Sequence, residues 1–154
     1  MIPKDYISFA ELLVDKTDDS DALKAAKYRS AISRAYYAVF HHGVKVLRNC
    51  SATLSNKADD HQIVCQTMCE CAVKGFKSIG GNLRDLRDWR NDADYQLDND
   101  SVEKKGNVAA KVSLARKLID GMGGLSKNLD TKEKNKIRDK SKEVSLRLSA
   151  RSTR

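Results

Sequence analysis

Apolar residues along this chain recur at steps of three and four and seldom alternate. The clearest stretch is Tyr28 to Leu47, YRSAISRAYYAVFHHGVKVL, the longest run with neither proline nor a turn cluster. Ile32, Ala35, Tyr36, Val39, Gly43 and Val46 fall on one face of a helix. Ser30, Arg34, Tyr37 and His41 recur in the same way and form a second, polar face. The stretch is rich in alanine, which lets a second helix approach closely. Such a helix is either a core element lining a site or a core element with ordinary amphipathic flanks.

The rest of the chain gives shorter patterns of the same kind. Tyr6, Phe9, Leu12 and Leu13 predict a helix from about Asp5 to Lys16. The run Thr17 to Asp21 reads as a turn, with Ser20 or Asp21 capping a second helix from Ala22 to Arg48. Asn49 to Asp60 reads as a loop, because Ser, Asn, Asp and Thr compete for local hydrogen bonds. Val64, Met68, Cys71, Ala72 and Phe76 predict a third helix from Ile63 to Lys77. Ser78 to Asn82, containing Gly80 and Gly81, is expected to stop it. A fourth helix is expected from Asn82, with Leu83, Leu86, Ala93 and either Trp89 or Arg90 facing inward. After a polar turn at Leu97 to Asp100, a fifth fits Ser101 to Ile119. Its buried side is Val102, Val108, Ala109, Val112, Ala115, Leu118 and Ile119. Gly121, Gly123 and Gly124 are expected to end the globular pattern. Beyond them, Asp130 or Thr131 followed by Glu133 marks a helix start. Ile137, Val144 and Leu148 then form a stripe too thin to hold a helix alone, so it docks on a partner or frays.

These elements predict an all-α fold: an up-and-down four-helix bundle, an additional short helix and a basic C-terminal extension. Pro3 is the only proline, and strand-like β-branched runs are absent. A chain of 154 residues is expected to form one domain. The helical domain is assigned to 1–125 and the extension to 126–154, helical or partly disordered.

Charge sharpens that division. Up to Asp100, fourteen Lys and Arg face fifteen Asp and Glu. From Ser101 to Leu125 the net is +3, and from Ser126 onward it is +6. A basic tail attracts phosphates without regard to sequence, or is simply a solvated helix. No apolar run approaches the ~20 residues of a membrane span, and no leader pattern opens the chain. A cytoplasmic location with reduced Cys50, Cys65, Cys69 and Cys71 is therefore expected. His61, Cys65 and Cys69 stand at one-turn spacing and could offer three metal ligands. No fourth ligand stands at a zinc-like spacing, so buried thiols are the favoured reading and no metal or other cofactor is assigned.

The run SRAYYAVFHH, preceded by Arg29 and followed by RNDADY at Arg90 to Tyr95, resembles the HEPN family (higher eukaryotes and prokaryotes nucleotide-binding). It is most similar to small prokaryotic members with an S-R-A-Y-Y-A-x-F-H helix and a later R-x-x-A-D-Y helix. The resemblance covers roughly Phe9 to Met122. It implies a homodimer formed through the helices carrying Arg34 and Arg90. It also implies an RNA-directed role, in active members a cleavage that needs no metal. Those members carry an arginine followed four to six residues later by a histidine. Arginine neutralises phosphate charge, and histidine moves the proton to or from the 2′-hydroxyl or the leaving oxygen.

Arg90 matches the arginine, but Tyr95 stands where the histidine would be, and no histidine follows His61. The complete ribonuclease motif is absent. Tyr95 can donate or accept a hydrogen bond but is a weak base at neutral pH. His41 or His42 could enter the same cleft from the central helix. Arg90, Tyr95 and His41 are thus the candidate catalytic residues, with Arg34, Tyr37, Arg87 and Asp94 as candidate binding residues. The alternative for Arg90, Asp94 and Tyr95 is a hydrogen-bonded lock between helices. For Arg34, Tyr37 and His41 it is a core helix with satisfied polar groups. Trp89 reads as a packing anchor.

Two functions follow. One is an RNA-cutting or RNA-binding module of a prokaryotic toxin–antitoxin or phage-defence pair. Its partner would be a nucleotidyltransferase or another protein. The other is a non-catalytic dimeric protein-interaction module.

Overall fold

The structure, a computed structural model, describes residues 3–15 and 20–152. Among these residues the chain is all-helical, with six α-helices and no strand. They are α1 (Pro3–Asp15), α2 (Asp21–Asn49), α3 (Asp59–Glu70), α4 (Phe76–Tyr95), α5 (Lys105–Asn128) and α6 (Thr131–Ser152). A short 3₁₀ turn, Asp100–Glu103, precedes α5. The turn expected at Thr17 to Asp19 and the helix end at Lys16 lie outside the described residues. No helix among the described residues is long and apolar enough to cross a membrane.

Local signals set several of these ends. Ser20 caps α2, its Oγ accepting from the Leu23 amide at 3.4 Å. At α6 a reciprocal capping box forms. The Glu133 amide donates to Asp130 Oδ1 at 2.7 Å, and the Asp130 amide donates to Glu133 Oε2 at 3.1 Å.

The contacts divide the chain into two compact units. The first comprises Met1–His41 and Arg84–Asp120. Its core is built from Ile7, Ala10 and Val14 of α1, Ile32, Ala35, Tyr36 and Val39 of α2, Leu86 of α4, and Val108, Val112 and Ala115 of α5, all buried. The face of α2 expected from its periodicity is therefore the buried one. The expected face of α1 is not. Phe9 and Leu12 are 49% and 48% exposed, because α1 is rotated to bury Ile7, Ala10 and Val14. Arg116 of α5 holds α1 through a two-pronged pair with Glu11 at 3.0 and 2.6 Å.

The second unit comprises His42–Leu83 and Gly121–Arg154. Here the expected helix boundaries fail in two places. The third helix does not reach Lys77 and Gly80–Gly81 does not end it. The chain breaks at Cys71 to Gly75 instead, where Gly75 takes a φ of 87°. Gly80 lies inside α4 against α3, where a Cβ would stand 2.5 Å from the Cys69 backbone nitrogen. The fifth helix likewise runs through Gly121, Gly123 and Gly124 to Asn128, and its first turn is the separate 3₁₀ turn. Met122 in that glycine-rich stretch is fully buried, so packing overrides the low propensity of its neighbours.

The thin stripe on α6 neither frays nor awaits another molecule. Helix α6 packs on α3 of the same chain, and Ile137 and Val144 are fully buried. Arg147 fastens the pair, donating to Gln66 Oε1 at 3.0 Å and Glu70 Oε1 at 2.7 Å. None of the four cysteines forms a disulfide. Burial pushes the Cys50 and Cys71 thiols above their ordinary range, which suits packing rather than reactivity. The Cys65 thiol lies 3.6 Å from the Gly80 carbonyl oxygen, its acceptor. No group of three or more His, Cys, Asp or Glu among the described residues is arranged to hold a metal ion.

Candidate functional site

The polar face of α2 meets the last turns of α4 within the first unit. Tyr37 is the shared element. Arg90 Nη2 donates to the Tyr37 hydroxyl at 3.2 Å, and the Arg90 guanidinium carbon lies 5.6 Å from the Tyr37 ring centre. On its other side Tyr37 stacks against His41, with ring centres 6.0 Å apart. Helical spacing explains this, since residues four apart lie one above the other.

Arg90 is held from within its own helix as well. Its Nε lies 2.7 Å from Asp94 Oδ2, one turn on. The contact is an ion pair without a hydrogen bond, because buried Nε has no hydrogen-bond partner of acceptable angle. The Tyr95 ring stands 5.4 Å from the guanidinium, and Asn91 Oδ1 accepts from Nη1 at 3.2 Å. Burial works against the Arg90 charge. Asp94, and after it Tyr37 and Tyr95, outweigh that effect and hold the guanidinium above its ordinary range.

His41 sits among Tyr6 of α1, Tyr37 and Phe40, at ring-centre distances of 5.4, 6.0 and 5.2 Å. Burial pushes its imidazole below the ordinary value of 6.5, so it is neutral at pH 7. The consequence for stability has a definite sign. Below pH 6.5 the unfolded chain takes up a proton that the folded imidazole refuses, so folding stability falls as the pH drops toward the folded value. Well above 6.5 both forms are neutral and nothing is lost. Urea denaturation between pH 7.5 and pH 5 should show a shallower loss for His41→Gln than for the parent chain.

Arg34 lies 6.0 Å from the Tyr6 ring centre and makes no ion pair or hydrogen bond among the described residues. It is a half-buried cation, and no carboxylate among the described residues pairs with it. The structure thus brings together Arg34, Tyr37, His41, Arg90, Asp94 and Tyr95. Arg87, half-buried on α4, makes no hydrogen bond or ion pair with them. Trp89 is half-buried, with Lys111 Nζ 4.5 Å from its ring centre.

Two contributors escape a reading of the sequence. Tyr6 reaches the cluster from α1, and its spacing relates only to its own helix. Arg29 does not touch the cluster but fixes the end of α4. Its Nε donates to Glu103 Oε1 at 2.6 Å, and its Nη1 and Nη2 donate to the carbonyls of Ala93, Gln96 and Leu97 at 3.0, 3.1 and 3.0 Å. Longer contacts of 3.4 Å reach the carbonyls of Asp92 and Asn99. The carbonyls of Asp92 and Gln96 also accept backbone amides, so there Arg29 is a second donor. As a cation at a helix C-terminus it meets the negative end of the dipole. Chemically, the cluster offers a guanidinium without an ion pair among the described residues, a second one paired with Asp94, a neutral imidazole and phenol hydroxyls. Comparison of the chain with family models, with curated proteins and with solved structures gives no match.

Proposed function

We propose that the Tyr37 cluster handles a phosphodiester of RNA, in a HEPN-like module whose helices form an up-and-down bundle. The observation that carries this reading is that Arg90 and His41 both pack on Tyr37, with Arg34 on the same helix making no ion pair among the described residues. A neutral imidazole can take the proton of a ribose 2′-hydroxyl. The 2′-oxygen then attacks phosphorus and the bond to the 5′-oxygen breaks, with a proton going to that oxygen. The products are a 2′,3′-cyclic phosphate and a 5′-hydroxyl end. Arg34 and Arg90 offer positive charge to the phosphate as negative charge builds on it. His41 supplies from α2 the base that Tyr95 does not, and a second copy of the chain would meet the first along the helices carrying Arg34 and Arg90. A prokaryotic toxin–antitoxin or phage-defence pair, with a nucleotidyltransferase or other protein as partner, suits such a module.

The Arg90–Asp94 pair supports a milder form of the same reading, RNA bound without being cut, since Asp94 offsets much of the Arg90 charge. A protein-interaction module is the second reading. It is favoured by Phe9 and Leu12, which lie one turn apart on α1 and are about half exposed.

Incubation with structured RNAs, with and without EDTA, tests the proposal. EDTA-resistant cleavage is expected, and Arg90→Ala of unchanged fold and oligomeric state should lower it by about 100-fold or more. Binding without cleavage selects the milder form. Cleavage indifferent to Arg90→Ala overturns the assignment. Absence of both cleavage and binding leaves the protein-interaction reading.

A further inference from the structure

A second feature lies in the other unit, between the α2–α3 loop and α6. The loop is fixed despite its polar sequence. Asp60, 3% exposed, accepts from the Ser55 amide at 3.0 Å, the Ser55 hydroxyl at 2.9 Å and the Asn56 amide at 2.7 Å. Ser51 and Asn56 hold left-handed backbone conformations, with φ of 62° and 61°. Asparagine tolerates such a conformation, whereas for Ser51 it is costly and persists where the surroundings hold it. Arg48 adds a further tie, donating to the Asn56 side chain.

Facing the loop, α6 carries Arg138, Lys142, Ser145 and Ser149 at helical spacing. The space between is a groove of about 820 Å³, within the ~300–1,000 Å³ range of small-ligand sites. Its apolar lining is Ile63, Leu146 and Leu148, with Leu146 62% exposed. The Lys57 and Lys142 ammonium groups, and the hydroxyls of Ser51, Thr53 and Ser145, make no ion pair or hydrogen bond among the described residues. Two carboxylates also line it. Asp139 is neutralised by Arg138 at 2.9 Å, which leaves Asp59 against two unpaired lysines.

The groove is therefore rich in unused donors, and its ligand must be rich in acceptors. Helix α6 carries eight Lys and Arg against three Asp and Glu, so the surrounding field also favours an anion. No aromatic side chain among the described residues lines the groove, so it offers no platform there on which bases would stack. Phosphate and sugar oxygens are the acceptors that Lys, Ser and Thr side chains contact in nucleic-acid complexes. We propose that this groove holds a few nucleotides of single-stranded nucleic-acid backbone, with Lys57 and Lys142 on its phosphates and Ser51, Thr53 and Ser145 on phosphate or sugar oxygens. The leucines pack against sugar faces. The site reads backbone rather than sequence, and it does not depend on any cleavage at the Tyr37 cluster.

Fluorescence anisotropy with a short 5′-labelled oligouridylate tests this, with salt raised from about 50 to 200 mM. The parent chain should bind, more weakly as salt rises. The Lys57→Gln/Lys142→Gln chain should bind about tenfold more weakly, and its slope of log affinity against log salt should be shallower by about 1.4. Both lysines are exposed, so the thermal midpoint should not move. In a second measurement, oligouridylate carrying 4-thiouridine should photocrosslink to peptides spanning 51–59 or 138–149. An unchanged affinity and slope in the double variant, or crosslinks confined to other peptides, overturns the proposal. So does binding of an acidic, leucine-containing peptide in this groove without binding of the oligouridylate. The lysine pair and Arg90→Ala are scored separately, so either reading can fail without the other.

Discussion

Arg29→Met should destabilise the fold by about 3–5 kcal/mol, the cost of breaking a largely buried ion pair by removing one partner. The Arg29 side chain is 12% exposed and that of Glu103 is 31% exposed, so the carboxylate left behind is poorly hydrated. The guanidinium also serves backbone carbonyls from Asp92 to Asn99, the segment that closes α4 and turns toward the 3₁₀ helix. Solvent can take over at exposed Gln96 and Leu97 but not at buried Ala93. Methionine keeps much of the aliphatic stem, so the comparison isolates the charged head. Arg29→Lys should recover only part of the loss, because an ammonium cannot present a planar fork to several carbonyls and a carboxylate together. Urea denaturation measures the stability. Limited proteolysis should show new cleavage near 96–100 in Arg29→Met. A loss below about 1 kcal/mol would mean that solvent replaces the clamp and that Arg29 does not define this end of α4. The same variant should disturb the candidate site, since Tyr95 is the last residue of the helix that Arg29 closes.

The clamp also shows where a sequence stops being legible. The Arg34, Tyr37 and His41 face is readable because one helix carries all three at a fixed spacing. The Asp130–Glu133 box is readable because its partners lie within one turn. Arg29 acts on backbone carbonyls, and those have no sequence signature, so nothing in the order of residues points from it to 92–99. Periodicity places Tyr6 on α1 but not in the cluster, since its neighbours come from another helix. On that same helix, large apolar Phe9 and Leu12 suggest the wrong buried face. Size does not separate the two faces, since buried Ile7 matches exposed Leu12 in volume while the larger Phe9 stays outside. The α6 stripe is visible in the sequence, but its cover, α3, is far away in the chain. The groove lined by Lys57 and Lys142 is invisible for the same reason: its two walls are separated by α3, α4 and α5 in sequence.

Glycine is the most misleading residue type in this chain, and the two at 80 and 81 provide a sharp contrast. Gly80→Ala should destabilise the chain by about 3 kcal/mol, while Gly81→Ala should stabilise it by about 0.5–1 kcal/mol. Both lie inside α4, where alanine is intrinsically better than glycine. At Gly81 a Cβ meets nothing within 4 Å, so only the propensity gain remains. At Gly80 it would stand 2.5 Å from the Cys69 nitrogen and 2.8 Å from both the Met68 carbonyl carbon and the Cys69 sulfur. Two of those atoms are backbone, so no rotamer change relieves the clash. Helices α3 and α4 must separate, and the buried packing of Met68 and Ile79 loosens with them. Had the pair ended a helix, as its composition suggests, alanine at whichever residue took a left-handed conformation would carry the strain, with no close approach between helices involved. Urea denaturation of the two single variants decides between these origins. Opposite signs, with the loss at Gly80, establish the close approach of α3 and α4. Equal stability of the two would refute it.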